Sequence, residues 1–264
     1  MNEALSGDLL QTKLYVPRLR PFLIPRPHLI KQLNQGRQQG CKLTLISAPA
    51  GFGKTTLISG WTEQIKHPVA WLSLNENDTD LVRFLTYVIA ALQTIESAIG
   101  QDLLAALQSP GAVNAEIILT ALLNEITALP NDLILVLDDY HTVESPPIDQ
   151  AITFLLDHLP PQMHLAITSR KRPSLPLSRL HARRQITEIR ADDLRFTPDE
   201  AAAFLNQMMD FDLSTEEVAA LEVHTEGWIA GLQLAAISMQ ELNGRGEIVD
   251  FINNFSGNNR YIQD

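Results

Sequence analysis

The chain has 264 residues and a formal charge of -11, with 45% hydrophobic and 19% charged residues, which places it among globular proteins and excludes the disordered and fibrous classes. Its acidic balance argues against a general nucleic-acid binder, which carries a basic stripe, and no apolar run approaches the length of a membrane span. The single cysteine, Cys41, excludes an internal disulfide and a cysteine zinc cluster, and MNEALSGDLLQ opens without a basic stretch, so the expected compartment is the cytoplasm.

In chain order, prolines 17, 21, 25 and 27 hold the first segment extended, because each fixes φ and removes a donor. A helix is expected from about His28 to Gln39. KLTLISA, residues 42–48, alternates as a strand and runs into a glycine-rich turn, with a helix from Thr55 to about Lys66. HPVAWLSL supplies the next strand. Leu81, Phe84, Leu85, Val88, Ile89 and Leu92 recur at helical spacing behind Asp78–Asp80, and a further helix covers about Asn114 to Ala128. LILVLDD, 133–139, reads as a central strand ending in two acids. A helix near 148–158 and the strand MHLAITSR, 163–170, follow. Strands alternating with helices predict a parallel α/β sheet flanked by helices. After Arg190 only helices are expected, two of them opened by the capping boxes Thr197–Glu200 and Ser214–Glu217, and a third around Trp228–Leu242. The fold class is thus a P-loop NTPase α/β sheet followed by a small all-helical domain.

The chemistry concentrates in Ala48-Pro49-Ala50-Gly51-Phe52-Gly53-Lys54-Thr55, which fits the phosphate-binding loop G-x-x-x-x-G-K-[ST] with alanine first. Gly51 and Gly53 let successive N–H groups of Ala50, Gly51, Phe52 and Gly53 turn towards phosphate oxygens, and the following helix adds its positive end. Lys54 is expected to reach the β- and γ-phosphates, Thr55 to ligate Mg²⁺, and Thr56 to line the same turn. The loop calls for an acidic strand end as its second half. Asp138 is the expected Mg²⁺ ligand and Asp139 the residue that polarises an attacking water. Arg170, closing the next strand, lies at the same expected sheet edge and is a candidate γ-phosphate sensor. The seven histidines lack zinc-ligand spacing, no serine sits in a G-x-S-x-G setting, and the Arg179–Arg184 cluster is expected to be a solvated face.

Several segments together resemble one family. TKLYVPR (12–18), SAPAGFGKTT (47–56), VAWLSLNENDTDLVRF (69–84), LVLDDYH (135–141), TSRKRPSLPLSRL (168–180), RADDLRFTPDEAAAFL (190–205) and TEGWIAGLQLA (225–235) are similar to the MalT-like large LuxR-type transcriptional regulators. These are signal-transduction ATPases of the STAND class. The resemblance implies ATP or ADP with Mg²⁺ acting as a conformational switch, slow hydrolysis, self-association on activation, and no membrane. It also implies an adenine-side contact at Arg26, within Ile24-Pro25-Arg26, although proline stands where the family has glycine. Gly231-Leu232-Gln233-Leu234 resembles the helical domain's G-L-P-L motif with glutamine for proline.

The expected organisation is an adenine-side segment (1–40), a nucleotide-binding α/β domain (41–192), a helical lid (193–243) and the start of a further domain (244–264). The family continues into a winged helix, a sensor array and a DNA-reading helix-turn-helix. With Asp264 last, the expectation is a fragment or a short stand-alone product that does not itself contact nucleic acid. Three functions compete: a slowly hydrolysing nucleotide switch, a scaffold holding ADP permanently for protein contacts, and a P-loop phosphotransferase. The third lacks an acceptor motif.

Overall fold

The computed structural model describes residues 9–19, 23–109, 114–242 and 244–255. Part of the expected extended Pro21–Pro27 stretch, and the expected last domain beyond residue 255, lie outside these. By internal packing the chain divides into two compact units, each assembled from separated segments.

The first unit runs through Arg18 and includes Pro27–Ser47 and Thr55–Ile189. Its centre is a five-stranded sheet of order β2-β3-β4-β1-β5, formed by β1 (Leu43–Ser47), β2 (Val69–Ser73), β3 (Leu133–Asp138), β4 (Met163–Ser169) and β5 (Ile186–Arg190). Burial follows this order. Every residue of β3 and β4 is buried, as interior parallel strands covered on both faces require. The edge strands β2 and β5 are only partly covered. The helices of this unit are α1 (Pro27–Gln38), α2 (Lys54–Gln64), α3 (Leu81–Gln93), α4 (Gln101–Gln108), α5 (Ala115–Thr127), α6 (Pro146–His158) and α7 (Leu177–Ala182). Asp80 caps α3 by accepting from the Arg83 N–H at 2.8 Å, and Asn114 caps α5 through the N–H groups of Glu116 and Ile117. Phe84, Leu85, Val88, Ile89 and Leu92 of α3 join the strands in one apolar core.

One buried polar pair lies on the sheet. The Nδ1 of His164 on β4 is 2.8 Å from the Cys41 carbonyl, which only a donor can satisfy, so Nε2 is left to accept from the Thr44 hydroxyl at 2.9 Å. Burial lowers the imidazole pKa to about 4, keeping it neutral.

The second unit takes Leu19–Arg26, Ala48–Lys54 and the chain from Arg190 onward. It contains α8 (Ala191–Leu194), α9 (Pro198–Ala202) continuing into a π-helical stretch Ala203–Met208, α10 (Thr215–Thr225), α11 (Ile229–Gln240) and α12 (Arg245–Asn254). Both expected capping boxes are present: Thr197 and Glu200 bond reciprocally, as do Ser214 and Glu217. Leu205, Leu221, Leu232, Ala235, Ala236 and Ile252 form its own core.

The structure adds elements that the sequence does not announce, the short helices α7 and α8 among them. β5 is a short edge strand of mixed polarity, α4 starts from Gly100 in a left-handed conformation without a side-chain cap, and α12 lies in the segment expected to start a further domain. Ile252 supplies the buried face that holds α12 to the second core.

Candidate functional site: a phosphate loop and an acidic strand end

Within the first unit, register brings the polar strand ends together. Ser47 pairs with Ser169, Ile46 with Thr168, and Ser73 with Asp138. β4 and β1 are neighbours whose outgoing connections lead to opposite edges of the sheet, and ligands of open α/β sheets bind outside the strand carboxyl ends at such a switch point.

At that edge the Asp138 carboxylate is only 4% exposed. The Thr55 hydroxyl, in the first turn of α2, donates to it at 3.1 Å from either oxygen. The Thr168 hydroxyl donates to Asp138 Oδ1 at 2.5 Å and accepts the Asp139 N–H at 2.9 Å. Thr168 therefore fixes the carboxylate and the chain turn behind it. The sequence reading passed over this residue, because the signal lies in the register of two strands. Asp139 itself is not the last strand residue. It adopts a left-handed conformation, φ 58 and ψ 41, which ends β3 and leads into the turn Tyr140–Thr142. Its side chain is 43% exposed, with His141 Nδ1 3.8 Å away. Arg170 follows β4 directly, is exposed, and makes no ion pair among the described residues, whereas Lys171 pairs with Glu144 at 2.8 Å.

Within the second unit, Gly51 and Gly53 of the loop both have positive φ, 78 and 74. This is the left-handed region that glycine enters at little cost. The Lys54 ammonium is buried and donates to the Pro49 carbonyl at 2.9 Å, folding the lysine over the loop. Phe52 is buried, while Ala50, Gly51 and Thr56 are exposed. The N–H groups of Gly51, Phe52 and Gly53 make no backbone hydrogen bond among the described residues. Two further loop carbonyls are spent: Ala50 accepts from the Trp228 indole at 3.0 Å and Gly51 accepts from the Ala230 N–H at 3.1 Å.

Arg26 takes up a role the sequence reading did not assign. Its guanidinium donates to the carbonyls of Leu194, Asp193 and Arg195 at 3.0, 3.1 and 2.9 Å. It also pairs with Glu200 at 2.7 Å and lies over the Phe196 ring. Burial pulls its pKa down from the ordinary value and Glu200 pushes it back. The arginine thus fastens the passage from α8 to α9 through all three of its nitrogens.

The donor set fits the groups the sequence implies. A buried carboxylate and a hydroxyl within hydrogen-bond distance are the hard oxygen ligands Mg²⁺ takes. A loop of uncommitted N–H groups before a helix start, with a lysine folded over it, is the cradle a polyphosphate takes.

No family model matches the chain. It is 33% identical over 239 residues to the HTH-type transcriptional regulator MalT of Klebsiella pneumoniae, which covers 90% of this chain and 26% of that protein. The resemblance to the MalT-like regulators holds. A serine/threonine-protein kinase, PknK of Mycobacterium tuberculosis, is 34% identical over 245 residues, 92% of this chain and 22% of that one. The chain therefore spans about a quarter of the length of these curated relatives. Among solved structures, the Walker-type ATPase PABY2304 of Pyrococcus abyssi superposes with a TM-score of 0.57 at 13% identity, covering 90% of this chain and 75% of that one. Cdc6p of Pyrobaculum aerophilum gives 0.51 at 16% identity, with 88% and 66% covered. The fold is that of a P-loop NTPase.

Proposed function

We propose that this chain is an ATP- and ADP-binding switch module of the kind that MalT-like STAND regulators carry, with slow, regulatory hydrolysis. The observation that carries the reading is the cluster Thr55–Asp138–Thr168 at the strand carboxyl ends, reached directly from the Gly51–Lys54 loop by the first turn of α2. A turn that is glycine-rich by chance has no reason to be followed in sequence by a threonine bonded to a buried carboxylate.

In this reading Ala50 to Thr56 hold the phosphates, and Lys54 supplies the main positive charge. Thr55 and Asp138 hold Mg²⁺, which when bound offsets the negative charge of the phosphate oxygens. Asp139, turned out of the strand and half exposed, accepts a hydrogen bond from water, and Arg170 reads the terminal phosphate. Arg26 acts by fastening residues 193–195. The organisation proposed with it is an adenine-side segment over 1–40, a nucleotide domain over 41–192, a helical lid over 193–243, and the start of another domain from 244. Nucleotide state biases the lid, which exposes surfaces for self-association in the cytoplasm, and nucleic acid is not touched by these residues. A region shared with both a named regulator and a named kinase is what a transferable module predicts.

The test is to purify the chain, denature it, identify the released nucleotide by chromatography, and follow phosphate release with Mg-ATP. Released ADP and slow turnover are expected. Tightly held ADP without turnover replaces the switch with a scaffold, and no nucleotide binding at all removes the assignment.

A further inference from the structure

The phosphate loop does not hold its shape alone. A trans peptide is planar, so its C=O and the N–H that follows point in opposite directions. The Ala50 carbonyl is held by the Trp228 indole at 3.0 Å, which turns the Gly51 N–H the other way. The Gly51 carbonyl is held by the Ala230 N–H at 3.1 Å, which turns the Phe52 N–H the other way. Two consecutive donors are thereby aimed together, and two adjacent N–H groups on one side of a chain form an anion-binding nest.

Glycines make this contact possible at three points. A Cβ on Gly51 would come within 2.5 Å of the Ala230 Cβ and 2.7 Å of the Trp228 indole nitrogen, so Gly51 is needed for proximity as well as for its positive φ. A Cβ on Gly231 would meet the indole ring at 2.8 Å, so Gly231 lets Trp228 fold back over the first turn of α11. Gly227, with φ 67, has its Cβ direction blocked by the Phe196 carbonyl at 2.7 Å. It therefore fixes the corner from which Trp228 starts. Gly227, Trp228, Ala230 and Gly231 are one device, and its target is the back of the loop.

We propose that Trp228, with Ala230, is a positioning residue that presets the Gly51 and Phe52 N–H groups for phosphate and so ties phosphate affinity to the placement of the α11 start. The inference rests on the nucleotide-binding reading above. It differs from a packing role in what it controls: the polyphosphate part of the ligand, through the indole N–H and not through the ring's bulk.

The experiment compares the full chain with Trp228→Phe, which keeps a ring and removes the donor, and with Lys54→Ala. Dissociation constants for ADP and for adenosine are measured by calorimetry, and thermal unfolding is recorded without ligand. Trp228→Phe is expected to weaken ADP about tenfold, the size of one hydrogen bond to a charged group, and to leave adenosine unchanged. An unchanged ADP constant overturns the proposal, and so does an equal loss for ADP and adenosine. If the wild-type chain binds neither, the nucleotide reading itself fails. If Lys54→Ala loses ADP while Trp228→Phe does not, only the positioning role fails. A measurement on the wild type covers the case of a variant that does not fold. Trp61 and Trp71 are fully buried whereas Trp228 is partly exposed, so ADP is expected to change acrylamide quenching of the tryptophan emission, and unchanged quenching with ADP bound overturns the proposal.

Discussion

At the residue scale, the hydroxyl of Thr168 separates two functions that a sequence merges. It satisfies the Asp138 carboxylate and the Asp139 N–H at once. Thr168→Val keeps the shape but leaves a buried carboxylate oxygen and an N–H short of a partner, at a cost of roughly 1–3 kcal/mol. A melting point lower by roughly 2–12 °C is expected, together with slower phosphate release, and calorimetry with a phosphate assay checks both. Asp139 permits a cleaner change. Its left-handed backbone suits asparagine nearly as well as aspartate, so Asp139→Asn should keep nucleotide affinity and lower turnover alone. Unchanged turnover would place the water-directing group elsewhere. Lys54→Ala should weaken ATP by at least about 10- to 100-fold through the lost charge on the phosphates. His164 makes a pH prediction. Its folded pKa is depressed to about 4, below the ordinary 6.5. The unfolded chain therefore binds more protons between those values, and stability present above about pH 6.5 is lost as pH falls towards 4. The loss is on the order of 3 kcal/mol, and His164→Gln should flatten that part of the pH–melting profile.

At the element scale, legibility followed how local the determinant was. β3 announces itself as an apolar run because both of its faces are covered, and β1 by its alternation ahead of the loop. The boxes at Thr197 and Ser214 are visible because a cap is a contact across three residues. β5 was hidden because ITEIR buries only Thr187 and Ile189, and an edge strand after an arginine cluster reads as a loop. The loop and Asp138 of the candidate site were legible as motif and strand end. Thr168 and Trp228 were not, because one acts through strand register and the other across 178 residues. The same locality bears on mutation. Ser214→Ala should cost about 1 kcal/mol, and amide exchange should rise in the first turn of α10 while the strands stay protected.

At the scale of the whole molecule, the unit holding the phosphate loop is not a continuous stretch of chain. It gathers Leu19–Arg26, Ala48–Lys54 and everything after Ile189. A fragment ending at residue 192 keeps the sheet and its core but loses both partners of the loop carbonyls, Trp228 and Ala230. That fragment should show the circular dichroism of an α/β protein and bind ADP at least tenfold more weakly than the full chain; equal affinity would mean the loop is self-sufficient. The separation of 178 residues between Ala50 and Trp228 is also an interval of time. At about 5–20 residues per second, the ribosome delivers the indole roughly 9–36 s after the loop it holds. Every strand of the sheet has been made by Arg190, well before Trp228 arrives. On the proposed reading, a nascent chain therefore collapses around its sheet while its loop holds nucleotide only weakly, and full affinity waits for the last helices.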